Sequence, residues 1–421
     1  MAKFFLKTFG CAYNQADSEA MAAALSGAGH LPAAGAADAD AVIVNTCSVK
    51  TPTENKAIDF IKRVEKPVLV TGCLAQATPA TVERKAPRAS ILGIFAQPRV
   101  AQAFTETANG HKIKWMEKER APRLSATVDG AVARVRISSG CVSACSFCQT
   151  RLARGRLQSH PVTEIRRTVE EAVAAGAKEI RLTAQDTGCY GMDAGSSLPE
   201  LVEAVSSAPG DFMARVGMMN PGRAIELDGL VSALGRRKVF KFIHAPVQSG
   251  SDAVLADMKR GHSAADFEEL VSRLRKRFPG AGVETDVIVG YPTETEGDFA
   301  ETMELLKRVR PDMVNVSKFY PRPGTEAARL KPLPSEVVKE RSAACSRLCR
   351  AIALERHCAL VGKRVRALVV EKASQHGGVA GALAVARTMQ YYKVLARAEP
   401  GEWIDVKITS AGVCDLRGER I

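Results

Sequence analysis

Over the first 110 residues, short apolar runs alternate with longer stretches of helical period. FFLKTF, AVIVN, PVLVT and ASILGI predict strands, while NQADSEAMAAALSGAG, TPTENKAIDFIKRVE and the run from Gln97 to Ala108 predict helices. That order predicts an α/β domain with a parallel, doubly wound sheet. Residues 111–130, HKIKWMEKERAPRLSATVDG, carry many charges and neither period, and read as a linker.

A second alternation fills residues 131–360. ARVRIS, KEIRLTA, FMARVG, KVFKFI, VETDVIV and DMVNVSKF predict strands. TEIRRTVEEAVAAG, stopped by Gly176, and the amphipathic AADFEELVSRLRKRF and ETEGDFAETMELLKRV predict helices between them. Six strand–helix units are fewer than the eight of a closed barrel, so an open, partial barrel is expected, with the loops after its strands on one face. A long helix should run from about Ser335 to Leu360. Residues 361–421 change character: KRVRALVVE, ALAVARTMQYYKVLA and EWIDVKIT predict strands of a small β-barrel.

Composition adds three constraints. With 46% hydrophobic and 25% charged residues in a chain of 421, ordinary globular domains are expected. The N-terminal apolar run is too short for a signal peptide and no run reaches the roughly 18 residues of a membrane span, which points to the cytoplasm. A net charge of +13 favours a polyanionic partner such as nucleic acid, and eleven cysteines without an export signal favour metal or redox chemistry over disulfides.

The sharpest signal is SGCVSACSFCQT, which places Cys141, Cys145 and Cys148 in the loop after the first barrel strand. A structural zinc site wants four ligands, and no further Cys or His follows until His160. An iron–sulfur cluster held by three thiolates instead keeps one iron open to a ligand that is not protein. The first three N-terminal strands also each end in a cysteine, Cys11, Cys47 and Cys73, and in a parallel sheet those ends share one edge. They suit a second three-thiolate cluster, or three small residues at tight turns.

The motif Cys141-x3-Cys145-x2-Cys148, with Phe147 before the last thiol, resembles that of the radical S-adenosylmethionine (SAM) superfamily. With TFGCAYNQADSE, VIVNTCSVK and VTGCLAQ, the chain as a whole resembles the methylthiotransferases, and GKRVRALVVE and ARTMQYYKV resemble their RNA-binding TRAM domain. LTAQDTGCYG, RVGMMNP, HAPVQSGSDAVLADMKRG, TDVIVGYPTET and FYPRPGTEAA are similar to the archaeal and eukaryotic type, which methylthiolates C2 of N6-threonylcarbamoyladenosine at position 37 of tRNA. Relatives acting on isopentenyladenosine or on a ribosomal protein share the cysteine plan and remain alternatives, as does a zinc-containing RNA-binding protein without catalysis.

The resemblance implies two 4Fe-4S clusters and SAM, with the N-terminal cluster holding the sulfur, one SAM methylating it and a second giving the radical that attacks adenine C2. It implies that Gln185, Asp186, Arg215, Gln248, Ser249 and Asp286 hold SAM or the base, that Asn14, Asp17 and Asn45 brace the N-terminal cluster, and that Tyr320 and Arg322 contact the modified base. The terminal segment from Val361 has ten Lys or Arg against six Asp or Glu. Lys363, Arg364, Arg387 and Lys393 are its candidate phosphate contacts to the tRNA anticodon stem-loop, with Tyr391 or Tyr392 for stacking. Cys345 and Cys349, one helical turn apart, read as packing, and Cys189, Cys358 and Cys414 as incidental. A monomer is expected; the sequence identifies no electron or sulfur donor.

Overall fold

The computed structural model describes residues 1–48, 51–117, 124, 126–372 and 383–421. At the N-terminus six parallel strands pair in the order Leu31–Pro32, Lys3–Thr8, Ala41–Thr46, Val68–Gly72, Ser90–Leu92 and Lys114–Trp115. The central strands are apolar on both sides because helices cover both. Met21 and Leu25 of the Ala12–Gly27 helix, with Val100 and Phe104 of Val100–Ala108, pack on Ile43 and Leu69. On the other face Ile58 and Ile61 of Thr51–Arg63 meet Val44 and Val70.

The segment read as a linker is strand at both ends. Lys114–Trp115 forms the sheet edge, with the Arg99 guanidinium 4.1 Å above the Trp115 ring, and Val128–Asp129 turns back onto Val132–Arg136 as an antiparallel hairpin. Two-residue strands are too short to show a period. Residues 118–123 and 125 of that segment lie outside the described residues.

The central domain has six parallel strands in two sheets, Val132–Arg136, Glu179–Thr183 and Met213–Val216 in one, with Val128–Asp129 as its antiparallel edge, and Phe242–His244, Gly282–Val289 and Met313–Lys318 in the other. A bridge between Ala214 and Val239 links them. Ile180, Leu182, Val283 and Val287 pack outward under the helices, so the alternate residues, Glu179, Arg181, Glu284 and Asp286, face the barrel interior. The Ser335–Cys358 helix then runs from the loop end of the barrel, where Arg341 bonds Glu294, to its foot, where Arg356 bonds Asp312.

A closed five-stranded barrel ends the chain. ALAVARTMQYYKVLA is two strands, Leu383–Thr388 and Lys393–Arg397, because Tyr391 takes a left-handed φ of 67° and the chain reverses there. That turn plugs the foot of the central barrel. Leu368, Val370 and Val385 pack on Val132, Met213 and Phe240, and the Tyr391 ring sits 4.9 Å from both Phe240 and Phe242. Burial of one such ring contributes about 1.5–3 kcal/mol. Among the described residues no helix is long and apolar enough to cross a membrane.

Candidate functional site

Three neighbouring strands of the N-terminal sheet end in Cys11, Cys47 and Cys73. The register pairs Thr8 with Asn45 and Thr46 with Gly72, so the three ends lie level on strands about 4.8 Å apart. Gly72 has φ 91°, and a Cβ there would fall 2.3 Å from both Asn45 Oδ1 and Thr46 O, so the approach of these two strand ends requires glycine before Cys73. Asn14 accepts from the Cys11 thiol at 3.4 Å and donates to Thr46 O at 2.9 Å, while Asn45 donates to Asn14 O at 2.8 Å. The two asparagines thus tie the Cys11 and Cys47 turns together. Cys47 and Cys73 are buried and Cys11 is exposed.

The second triad follows Gly140, where φ is 79° and a Cβ would overlap Arg156 O at 1.9 Å. Gly140 N donates to Gln185 Oε1 at 2.7 Å, which fixes the start of the loop. Ser143 N donates to Cys141 Sγ and Arg260 Nη1 to Cys145 Sγ, each at 3.3 Å, and such donors favour thiolates. A hydrogen bond from Cys189, with lesser help from Ser143, brings Cys141 down to about 7, whereas burial pushes the Cys148 thiol up. Cys189, which the sequence offers no reason to single out, is therefore a neighbour of this site.

Among the described residues, the three-ligand group whose donor atoms lie within 4.8 Å of one another is Cys141, Asp186 and Cys189. Neither cysteine triad is that tight. Three cysteines at one sheet edge or in one loop are the ligand set that a cluster with one open iron takes.

A cavity of about 560 Å³ is lined by Cys148 of the second triad and by Ser48, which follows Cys47 of the first. Phe147, Gln248, Asp286, Tyr320 and Arg322 also line it. Gln248 is held at φ 75°, a conformation that costs a non-glycine residue about 1–3 kcal/mol, and its buried Oε1 has no partner. Asp286 accepts from Asn315 Nδ2 at 2.7 Å and lies 3.3 Å from His244 Nε2. Tyr320 is 38% exposed, and Arg322 Nη1 donates to Glu54 at 2.9 Å.

Other expected ligands are placed differently. Ser249 Oγ bonds Ser251 N and Thr302, inside the protein. Arg215 lies 3.8 Å from Glu284 and 5.1 Å from the Phe242 and Tyr391 rings, toward the plugged foot. Asp186 Oδ1 accepts from Gly188 N and Asn220 N and shapes the turn after its strand, while Oδ2 accepts from Cys189 beside Cys141, and Asp17 bonds Arg136 and Arg154. In the terminal barrel Lys363 and Arg364 are exposed, but Lys393 faces Asp415 at 3.9 Å and Arg387 lies 4.5 Å over the Tyr391 ring. Tyr391 is consumed by the plug and Tyr392 bonds Asp312 at 2.6 Å, so neither ring is offered for stacking. Charge and aromatic content alone could not reveal that this turn faces a domain boundary. Cys345 and Cys349, 3.9 Å apart, belong to the buried core.

Residues 3–93 match the uncharacterized protein family UPF0004 and residues 135–306 the radical SAM superfamily. A probable threonylcarbamoyladenosine tRNA methylthiotransferase of Methanothermobacter thermautotrophicus is 41% identical over 97% of this chain and 97% of its own length. The chain belongs to the threonylcarbamoyladenosine tRNA methylthiotransferase family. The human methylthiotransferase of that name is 34% identical, matching all of this chain and 74% of its own length. Among solved structures, a radical SAM methyltransferase from Kitasatospora setae with cobalamin and a 4Fe-4S cluster bound superposes with a TM-score of 0.56, covering 77% of this chain and 73% of that one. At 14% identity its likeness to this methylthiotransferase is one of fold alone.

Proposed function

We propose that this methylthiotransferase converts N6-threonylcarbamoyladenosine at position 37 of the tRNA anticodon loop to its 2-methylthio derivative, acting as a cytoplasmic monomer with two 4Fe-4S clusters and SAM. The observation that carries the reading is a cavity lined by Cys148 of one triad and by Ser48, the residue after Cys47 of the other. Cys141, Cys145 and Cys148 would hold one cluster and Cys11, Cys47 and Cys73 the other. When bound, cluster and SAM supply the one-electron chemistry that an adenine C–H, with no acidic proton, requires.

The chain's own part is to bind, orient and keep water out. The Gln248 carbonyl, buried and unsatisfied, accepts from an amine or hydroxyl entering the cavity. Asp286 is held at one angle by Asn315 and His244, ready for an ammonium or a ribose hydroxyl. Phe147, Ile288 and Phe319 form apolar walls, and Tyr320 at the mouth offers a ring to the unstacked base. A loop nucleotide is already largely unpaired, so its entry costs little. Lys363 and Arg364 are free to meet RNA phosphates.

Anaerobic turnover with an anticodon stem-loop bearing threonylcarbamoyladenosine tests this, following 5′-deoxyadenosine and the nucleoside products together. Both 5′-deoxyadenosine and the 2-methylthio nucleoside should appear. Turnover of an isopentenyladenosine stem-loop with the first substrate untouched would overturn the assignment.

A further inference from the structure

We infer that Arg154 and Arg322, both carried by the central domain, are positioning residues for a cluster at Cys11, Cys47 and Cys73, their guanidinium charges setting its reduction potential across the domain boundary. The inference rests on the two-cluster reading above.

Arg154 closes the short Gln149–Arg154 helix that starts beside Cys148, and it reaches into the N-terminal domain. Its Nη2 donates to Asp17 Oδ2 at 2.5 Å, and its guanidinium lies 4.5 Å from the centre of the Tyr13 ring. The Arg154 and Asp17 side chains are 1% and 0% exposed. Asp17 is shared, since its other oxygen takes Arg136 Nη1 at 2.8 Å. Arg154 Nε and Nη1 are buried without an oxygen or nitrogen acceptor, and the guanidinium instead reaches the Cys73 thiol. Its neighbour Ala153 packs directly on Cys73, and the guanidinium opposes the upward push that burial exerts on the Cys73 thiol.

Arg322 repeats the arrangement from another loop of the central domain. Nη1 is spent on Glu54 of the N-terminal domain, Nη2 is buried without a partner, and the side chain lines the cavity together with Ser48, the residue after Cys47. If the two arginines served only to dock the domains, their carboxylates would suffice and the second edge of each fork would have no reason to be kept from water. Such unsatisfied donors are disfavoured in an interior, and doubly so when they carry charge. What the second edge of each fork lacks is an oxygen or nitrogen acceptor, and each arginine acts on a cysteine of the same triad. A cubane bound by three thiolates is anionic, and reduction adds another negative charge. A guanidinium in a medium of low dielectric stabilises that added charge, so it raises the potential.

The test uses the full chain with Cys141→Ala, Cys145→Ala and Cys148→Ala, which leaves the N-terminal site alone. After anaerobic reconstitution, iron and sulfide are counted and the midpoint potential is read by electron paramagnetic resonance titration. Arg154→Met and Arg322→Met should move the potential to more negative values, and Arg154→Lys and Arg322→Lys should restore most of the shift. Methionine variants that match the parent, or lysine variants that match methionine, overturn the inference. If a methionine variant binds no cluster, retention by its lysine counterpart supports the charge role and loss in both overturns it. In the complementary chain with Cys11→Ala, Cys47→Ala and Cys73→Ala, Arg154→Met should leave the remaining cluster's potential in place; an equal shift there would mean general disruption and also overturn it. A parent that takes up no iron fails the two-cluster reading itself, an outcome distinct from all of these.

Discussion

Tyr391 donates a 2.5 Å hydrogen bond to Glu179, joining the turn of the terminal barrel to the foot of the central one. Burial pushes the Glu179 carboxyl up, but Arg181 beside it prevails and holds it below the ordinary value of 4.5; burial and Glu179 together push the Tyr391 phenol above 10. Glu179 therefore stabilises the fold above pH 4.5 and loses that contribution as the pH falls below it, whereas Tyr391 stabilises below pH 10 and loses its contribution as the pH rises through its raised value. Tyr391→Phe should cost about 1–3 kcal/mol in denaturant unfolding at neutral pH and should remove part of the stability loss seen above pH 10. An unaltered alkaline profile would count against the plug.

Cys189 touches the radical SAM triad without being one of its three thiols. Cys189→Ala should leave iron and sulfide content unchanged, while Cys141→Ala should lower iron to about half of the two-cluster value. Anaerobic metal analysis separates the cases, and iron loss in Cys189→Ala would make that thiol a ligand.

Gln248 joins a left-handed backbone to an unsatisfied carbonyl, the signature of a residue kept for a ligand. Gln248→Gly relieves the strain and removes the acceptor. Thermal stability should hold or rise, and SAM affinity measured by anaerobic calorimetry should fall about tenfold, the loss expected for one hydrogen bond. Equal SAM affinity with lower stability would make Gln248 structural.

Exposed Lys363 and Arg364 should behave as phosphate contacts, and inward-turned Arg387 should not. Lys363→Ala with Arg364→Ala should reduce the slope of log affinity against log salt for the stem-loop by about 1.5. Arg387→Gln should leave that slope alone and lower the unfolding midpoint instead. The reverse pattern would restore the phosphate role to Arg387.

The elements that were legible in the sequence are those whose period repeats. Ala41–Thr46 and Ala264–Arg277 announce themselves because one is buried on both sides and the other on one stripe. Chain-local spacing likewise exposes Cys141, Cys145 and Cys148, and strand ends expose Cys11, Cys47 and Cys73. What stays hidden is set by contacts between distant segments. Cys189 meets Cys141 only because two neighbouring strands bring their loops together, Arg154 finds Asp17 across a domain boundary, and Arg387 is turned inward by a hairpin whose packing partner is a different barrel. The two-residue strands at Lys114 and Val128 fail for a simpler reason, having no room to alternate.

The Ser335–Cys358 helix also acts as a ruler. Ser342 lines the cavity, and the helix ends against the terminal barrel, so at 1.5 Å per residue roughly 24 Å separate the cavity from the terminal barrel. A substrate that engages both must extend at least that far along the outside of the protein. Reach, as well as the identity of the base, is then a condition on any substrate that is to touch both ends at once.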